Sequence, residues 1–375
     1  MFKRSLHLFK LWGIPVQVHI SWLVILVLMT WSFATGFYSE SYPGIFSTTQ
    51  LWIMAFFASL FLFLSILLHE FSHSLVAKKN GLPIGKITLF MFGGVAHMEN
   101  EVEDPVVELK MASAGPAMTL VLAGLFFLLS LLFRSIRALS VLFESLVYIN
   151  IVIFLFNMVP GFPLDGGRIL RAIIWYRKKN IVRATDIASR IGKYFALFLI
   201  GLGLFSLIFY GNFIGGIWLM IIGTFLRQAA IRSYGAILYH QVMKRLDISD
   251  LVRKNVVTVG LTMDLQTLMD EYFEKYHSYF FPVVSDGRML GIVTIGDVKK
   301  IDPEKRPELE VKDVINTNLT DYVIGLSSSP ARVFHLINAR KYESYPVVNN
   351  QGSLLGVITR SDFEEAIRVM MTLSN

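Results

Sequence analysis

Two histidines and a glutamate stand together at His69-Glu70-Phe71-Ser72-His73, directly after a stretch, residues 51–68, that carries no charged side chain. On a helix, positions i and i+4 share a face, so His69 and His73 can grip one ion between them. Glu70 projects about 100° round from His69, within reach of a water held by that ion. A divalent metal brings the pKa of such a water towards ~7, and a neighbouring carboxylate can take its proton and pass it to a leaving amine. The competing reading is a pair of histidines and a glutamate in solvent at a helix end. It fits poorly with a carboxylate at the end of an apolar run, where ionisable groups are costly and mark function. At ~1.5 Å per residue, His69 lies about 27 Å along the helix from Leu51, inside a hydrocarbon layer but towards one face.

A catalytic zinc takes three protein ligands and keeps one position open. The chain has no cysteine, so any metal must be held by histidine and carboxylate. Asp165 is the candidate third ligand. It lies in Asn157-Met-Val-Pro-Gly-Phe-Pro-Leu-Asp165-Gly-Gly-Arg168, where Pro160, Gly161 and Pro163 break a preceding apolar run. Non-helical backbone at membrane depth is tolerated only where protein buries it or it lines a wet cavity. The alternative is that Asp165 merely caps a helix starting at Gly166. Asp104 and Asp186, in charged stretches, are weaker candidates. His19, His97 and His240 lack partners at ligand spacing and read as interfacial residues.

The elements that must position these groups are membrane spans. Of 375 residues, 54% are hydrophobic and 17% charged, against roughly 25% charged in soluble domains; the mean hydropathy is +0.55. Apolar stretches long enough to cross a bilayer fall at 20–38, 51–77, 109–133, 139–159, 194–210 and 213–231. Segments 9–19 and 82–98 are β-rich and broken by Gly or Pro, which predicts short membrane-associated strands, one of them at 86–91 ahead of Gly93–Gly94. Of the net charge of +7, residues 244–375 contribute −2 and the hydrophobic part +9. The basic excess therefore flanks spans, and nucleic acid is excluded as a partner. Lys3, Arg4 and Lys10, then Lys78, Lys79 and Lys86, then Arg168, Arg171, Arg177, Lys178, Lys179 and Arg183 place both termini of a six-span protein in the cytoplasm. Arg134 and Arg137 fall on the opposite side, against the rule.

After residue 243 a soluble α/β pattern occurs twice. FPVV (281–284) recurs as YPVV (345–348), and GIVTIGD (291–297) as GVITRSD (356–362), with turns at Asp286–Gly287 and Gln351–Gly352. The predicted organisation is a helical polytopic membrane domain, 1–243, followed by a soluble α/β tandem repeat, 244–375.

His-Glu-x-x-His within a span, together with Asn-x-x-Pro-x-x-Pro-Leu-Asp-Gly-Gly, resembles the site-2 protease family of intramembrane metalloproteases. Phe92-Gly93-Gly94-Val95-Ala96 and Ala114-Gly115-Pro116 are similar to that family's segments, and the likeness covers about residues 8–240. The resemblance implies that His69, His73 and Asp165 bind one zinc ion, that Glu70 is the general base, and that Asn157 sits beside the metal and holds the substrate carbonyl. It also implies a plasma-membrane enzyme acting on membrane proteins with a transmembrane segment. No PDZ-like insert separates the spans. The duplicated tail resembles a pair of CBS (cystathionine β-synthase-type) domains, 246–304 and 311–370. In that family a Thr/Ser and an Asp three residues on line each cleft and take ATP, AMP or another adenine nucleotide; Thr294/Asp297 and Thr359/Asp362 match. Asp297 and Asp362 could equally be helix N-caps, and such modules also serve as homodimer interfaces.

A substrate helix must unwind before water reaches its carbonyls, and an extended peptide regains backbone hydrogen bonds by pairing with an exposed strand edge. The 86–91 strand is the sequence candidate for that edge, with Gly93 and Gly94 allowing close approach; alternatively these glycines only shape a turn. Two other functions share the same elements: a CBS-gated transporter with a broken helix, and a metal-binding scaffold without catalysis. Neither gives a reason for Glu70 between the two histidines.

Overall fold

A computed structural model describes residues 5–90, 93–98, 102–319, 322–339 and 344–373, so Lys3, Arg4, Met91 and Phe92 lie outside the described residues. The chain divides into two compact units, Met1–Ile237 and Leu238–Asn375.

Six helices of the described residues are long and apolar enough to cross a membrane, as the sequence predicts. They are α1 (Ser21–Ser41), α2 (Thr48–Lys79), α3 (Pro105–Leu132), α4 (Arg137–Asn157) and, beyond a shorter α5 (Asp165–Lys178), α6 (Ile181–Tyr210) and α7 (Phe213–Arg245). Two of them outrun the apolar stretches. The α6 helix starts at Ile181 because Asn180 caps it through the Arg183 amide, although residues 183–193 include Arg183, Asp186, Arg190 and Lys193. The α2 helix is capped by a reciprocal Ser47–Gln50 pair and runs unbroken through His69–His73 to Lys79.

Helix α3 shows how the bundle is held. Its buried residues are Glu108, Met111, Ala112, Gly115, Pro116, Thr119, Leu122, Ala123, Phe126 and Ser130, one stripe at helical spacing. The stripe is rich in small and polar residues, which let backbones approach where lipid supplies no hydrophobic drive between helices. At one end, Leu122 and Phe126 pack with Met54, Ala55 and Ala58 of α2 and Val141, Leu142 and Leu146 of α4. At the other, Met111, Gly115 and Thr119 meet the histidine motif.

Four strands form one sheet in the order β1 (Ser5–Leu11), β2 (Ile14–His19), β3 (Ile84–Phe90) and β4 (Gly93–Met98). The first pair is a hairpin that turns at Trp12 and Gly13, both at positive φ. Strand β2 runs parallel to β3 (Val16 opposite Ile87), and β3 runs antiparallel to β4 from Ile84–Met98 to Phe90–Gly93. Ile14, Val16 and Val18 alternate inward and pack on Leu67 and Phe71 of α2, and Trp12 stacks on Phe71 with ring centroids 5.3 Å apart. The sheet thus leans on the helix that carries the histidines. One expectation is corrected here. The 86–91 strand is not an exposed edge; it is central, paired on both sides, because Gly93–Met98 is itself a strand and not a re-entrant turn. The edge next to it belongs to β4.

In the second unit, β5 (Phe280–Ser285) pairs with β6 (Arg288–Thr294), and β7 (Ile324–Gly325), β8 (Ser344–Val348) and β9 (Leu354–Thr359) form a three-stranded sheet. Helices α8 (265–276), α9 (Ile295–Lys299), α10 (Pro330–Ala339) and α11 (Arg360–Leu373) complete two equivalent halves. The turns fall at Asp286–Gly287 and at Gly352, all three residues at positive φ. The halves exchange segments: Arg253, near the start of the first half, bridges to Val357 in the second, and Asn316, near the start of the second, bridges to Ile292 in the first. Leu238, Val242 and Met243 are buried, the last two against Ile248, Ile324 and Tyr345, so this unit's core begins before residue 244.

Candidate metal centre and catalytic cavity

Positions 69 and 73 lie on the buried side of α2, and both imidazoles are within a tenth of full burial. The ring orientations follow from their outer nitrogens. His73 Nδ1 lies 2.6 Å from the Met111 carbonyl of α3, which can only accept, so Nδ1 carries the hydrogen. His69 Nδ1 lies 2.8 Å from Thr119 Oγ1, and that hydroxyl donates its own hydrogen to the Gly115 carbonyl at 3.1 Å. His69 therefore also donates from Nδ1. Both Nε2 lone pairs are left pointing at a common place.

Asp165 reaches the same place from α5. Pro160, Gly161 and Pro163 interrupt the helix after Asn157, and the chain crosses residues 158–164 without helix before α5 begins. The crossing is packed against backbone: a Cβ at Gly192 would stand 1.9 Å from the Phe162 carbonyl oxygen, and one at Gly167 would stand 2.3 Å from the Gly161 carbonyl carbon. The N-cap of α5 is Leu164, and Asp165 is its first residue, so the capping alternative is not what the structure shows. The Asp165 carboxylate turns instead to the histidines, with Oδ2 at 3.0 Å from His69 Nε2 and 3.3 Å from His73 Nε2.

The two Nε2 atoms are 3.2 Å apart. Three acceptor atoms thus crowd together with no hydrogen among them to share. Tetrahedral bonds of ~2.0–2.1 Å would set donor atoms about 3.3–3.4 Å apart, close to the spacings observed. The residues present fit a zinc ion. Gly115 keeps the space clear, since a Cβ there would lie 2.2 Å from His73 Nε2 and 2.6 Å from His69 Nε2.

Glu70 faces a cavity of about 290 Å³ lined by His73, Ser74, Gly94, Met111, Pro163, Asp165 and Arg168 among others. A Cβ at Gly94 would come within 2.4 Å of Glu70 Cγ, so the glycine lets β4 pass directly beside that side chain. Gly93 opens β4 opposite Phe90. Asn157 ends α4, half-buried, and is not among the residues lining the cavity. The weaker candidates are used elsewhere: Asp104 caps α3 through the Val106 amide, and Asp186 pairs with Arg190.

Sequence reading missed Thr119, the Met111 carbonyl and Glu108. Glu108 is fully buried on α3 and bound by the Arg171 guanidinium of α5, whose Nε is 2.7 Å from Oε1. Arg171 also lies over the Phe162 ring, 4.8 Å from its centre. Arg171 is therefore not a free membrane-flanking cation; it ties α5 to α3.

In the second unit the two Thr–Asp pairs adopt the same geometry. Each Thr hydroxyl donates to the Asp carboxylate at 2.6 Å and accepts from the Asp amide at 3.2 Å. The capping residue is thus the threonine, at Thr294 and Thr359, and not the aspartate. Burial pushes both carboxyls up, but the hydrogen bonds from Thr294 and Lys300 to Asp297, and from Thr359 and Arg253 to Asp362, outweigh it. Both titrate below the usual carboxylate range and stay ionised at neutral pH.

The chain is similar to proteins of two known families. Residues 57–142 and 133–199 match Peptidase family M50, and residues 248–304 and 311–369 match the CBS domain. The chain is 30% identical over 370 residues to zinc metalloprotease MJ0392 of Methanocaldococcus jannaschii, covering 98% of this chain and 97% of that one. It is 30% identical over 379 residues to Rip3 of Mycobacterium tuberculosis, covering 98% and 94%. Among solved structures, a site-2 protease from Methanocaldococcus jannaschii aligns with 61% of this chain and 95% of its own, at 34% identity and a TM-score of 0.42.

The hydrogen bond that orients His69 gives a direct expectation. Thr119→Val keeps the shape and removes the acceptor, so zinc affinity should fall about 10–100-fold, measured by competition with a chromophoric chelator.

Proposed function

The chain belongs to peptidase family M50, the site-2 proteases, and carries a pair of CBS domains; from that premise we propose that it hydrolyses peptide bonds within or beside the transmembrane segments of membrane proteins. It is a multi-pass membrane zinc metalloprotease, and membership in a peptidase family favours hydrolysis over the transporter and scaffold readings. The observation that carries the residue assignment is the convergence of His69, His73 and Asp165 beside a cavity that Glu70 faces.

In this reading His69, His73 and Asp165 hold the zinc ion, whose Lewis acidity makes water nucleophilic near neutral pH. Glu70 takes the proton of the attacking water and delivers it to the amide nitrogen as the C–N bond breaks. Thr119 and the Met111 carbonyl hold the two imidazoles in the tautomer that leaves Nε2 free. The unwound substrate lies along β4, where Gly93 and Gly94 let its backbone approach Glu70, and the edge of β4 replaces the hydrogen bonds lost on unwinding. Asn157, which the family resemblance assigns to the substrate carbonyl, ends α4 just ahead of the break that leads to Asp165. The enzyme sits in the plasma membrane with its N-terminus and CBS pair in the cytoplasm, consistent with the lysines and arginines after α2 and α5.

The CBS pair binds an adenine nucleotide, with Asp297 and Asp362 taking the ribose hydroxyls and Thr294 and Thr359 near phosphate, and its halves offer a surface for homodimerisation. What supports this is the matched geometry of the two Thr–Asp pairs and the ionised state of both carboxylates.

Purified in detergent with a single-span reporter protein, the wild-type chain should cleave and Glu70→Gln should lose about 10²–10⁴-fold in rate with zinc still bound; equal cleavage by both, or by neither, would overturn the assignment. Millimolar ATP or AMP should raise the melting temperature of the second unit's transition, and the double variant Asp297→Ala/Asp362→Ala should abolish the shift. An unshifted wild type would remove the nucleotide from the account.

A further inference from the structure

We propose that Arg168 is a catalytic residue: its guanidinium faces the scissile carbonyl and stabilises the negative charge that develops on its oxygen. The inference rests on the hydrolytic reading above and adds a group that the zinc-site motif does not contain.

Three observations meet at Arg168. The first is position. Asp165 and Arg168 are three residues apart in the first turn of α5, so they project on one face. Arg168 lines the same cavity as Glu70, His73 and Asp165.

The second is burial. The Arg168 side chain is 20% exposed, whereas Arg190 and Arg253, which make surface ion pairs, are 65% and 62% exposed. A cation that only flanked the membrane would extend its head to water. The Arg168 side chain stays largely inside the protein, against the cavity.

The third is charge. Two guanidiniums, Arg168 and Arg171, stand beside one buried carboxylate, Glu108. Arg171 engages it through Nε and Nη2. Arg168 reaches the same oxygen only through Nε, at 4.0 Å. Among the described residues no ion pair within 4.0 Å joins Arg168 to Glu70 or Asp165. Among the described residues this 4.0 Å contact is the one ion pair Arg168 makes, so its guanidinium is loosely held on the wall of the cavity.

Peptide hydrolysis needs a charge there. As the water oxygen bonds to the carbonyl carbon, the π pair moves to the carbonyl oxygen while Glu70 removes the proton. When the C–N bond breaks, the pair returns and the nitrogen receives that proton. The oxygen is an anion only between these events, so a fixed cation beside it favours the transition state over the substrate. Asn157, the residue that the family resemblance assigns to the carbonyl, does not line this cavity, and Arg168 does.

The test uses the full-length protein in detergent, the single-span reporter, and a phosphinic peptide that mimics the attacked bond with a permanent tetrahedral anion. Arg168→Gln should lower kcat about 100-fold or more and weaken the phosphinic peptide by a similar factor. KM, bound zinc and melting temperature should stay at wild-type values. Arg168→Lys, which keeps the charge, should recover part of both losses. If the Gln variant does not fold, the Lys variant decides: reduced kcat and phosphinic affinity at unchanged KM and zinc support the role, and wild-type values overturn it. Unchanged kcat in Arg168→Gln, or a fall matched by lost zinc, would also overturn it. Absence of Glu70-dependent cleavage in the wild type would defeat the hydrolytic reading itself, an outcome distinct from failure at Arg168 alone.

Discussion

Mutual repulsion among three lone-pair atoms is the constraint around which the membrane unit is organised. His69 Nε2, His73 Nε2 and Asp165 Oδ2 lie 3.0–3.3 Å from one another inside protein, and each imidazole has already given its hydrogen to an outer acceptor. A divalent cation reconciles such a cluster. Holding it together while empty of hydrogen takes rigid supports on three sides: an unbroken helix for the histidines, a broken one for the aspartate, and a third helix that fixes the rings from behind.

Those supports explain several otherwise odd choices in the sequence. A long apolar helix, α2, continues through polar residues because its histidines are buried by α3 and not by lipid. The helix α3 carries glycine, alanine and threonine where it meets them, since anything larger at Gly115 would occupy the space of the ion. The α4–α5 break places non-helical backbone at depth, and glycines 161, 167 and 192 let that backbone lie against its neighbours. The Glu108–Arg171 pair then joins α5 to α3, so that the aspartate and the rings it meets are referenced to the same helix.

Much of the centre was legible in the residues themselves. Spacing of i and i+4 put both histidines on one face, and the proline–glycine cluster marked Asp165 as a group held at depth. The outer partners were not legible. Thr119 is one of several small or polar residues along α3 and nothing in its spacing ties it to His69, and a carbonyl such as that of Met111 leaves no trace in sequence. Gly93–Gly94 looked like a turn because glycine is poor in strands, yet it begins β4, which pairs with β3 and removes the edge expected there. Arg168 and Arg171 were absorbed into a run of cations that charge bias alone assigns to the membrane surface. The repeat in the tail showed its strands and turns clearly, whereas the exchange of Arg253 and Asn316 between halves depends on pairings between the two copies that neither copy shows by itself.

The most direct measurement is X-ray absorption at the zinc edge on the purified full-length protein, beside Asp165→Ala. The expected wild-type shell has two imidazole nitrogens and one carboxylate oxygen at about 2.0–2.1 Å with a further light atom, and the variant should lose the carboxylate and most of its affinity. An unchanged shell in Asp165→Ala, or a wild-type ion with fewer than two imidazoles, would contradict convergence of α2 and α5 on one metal.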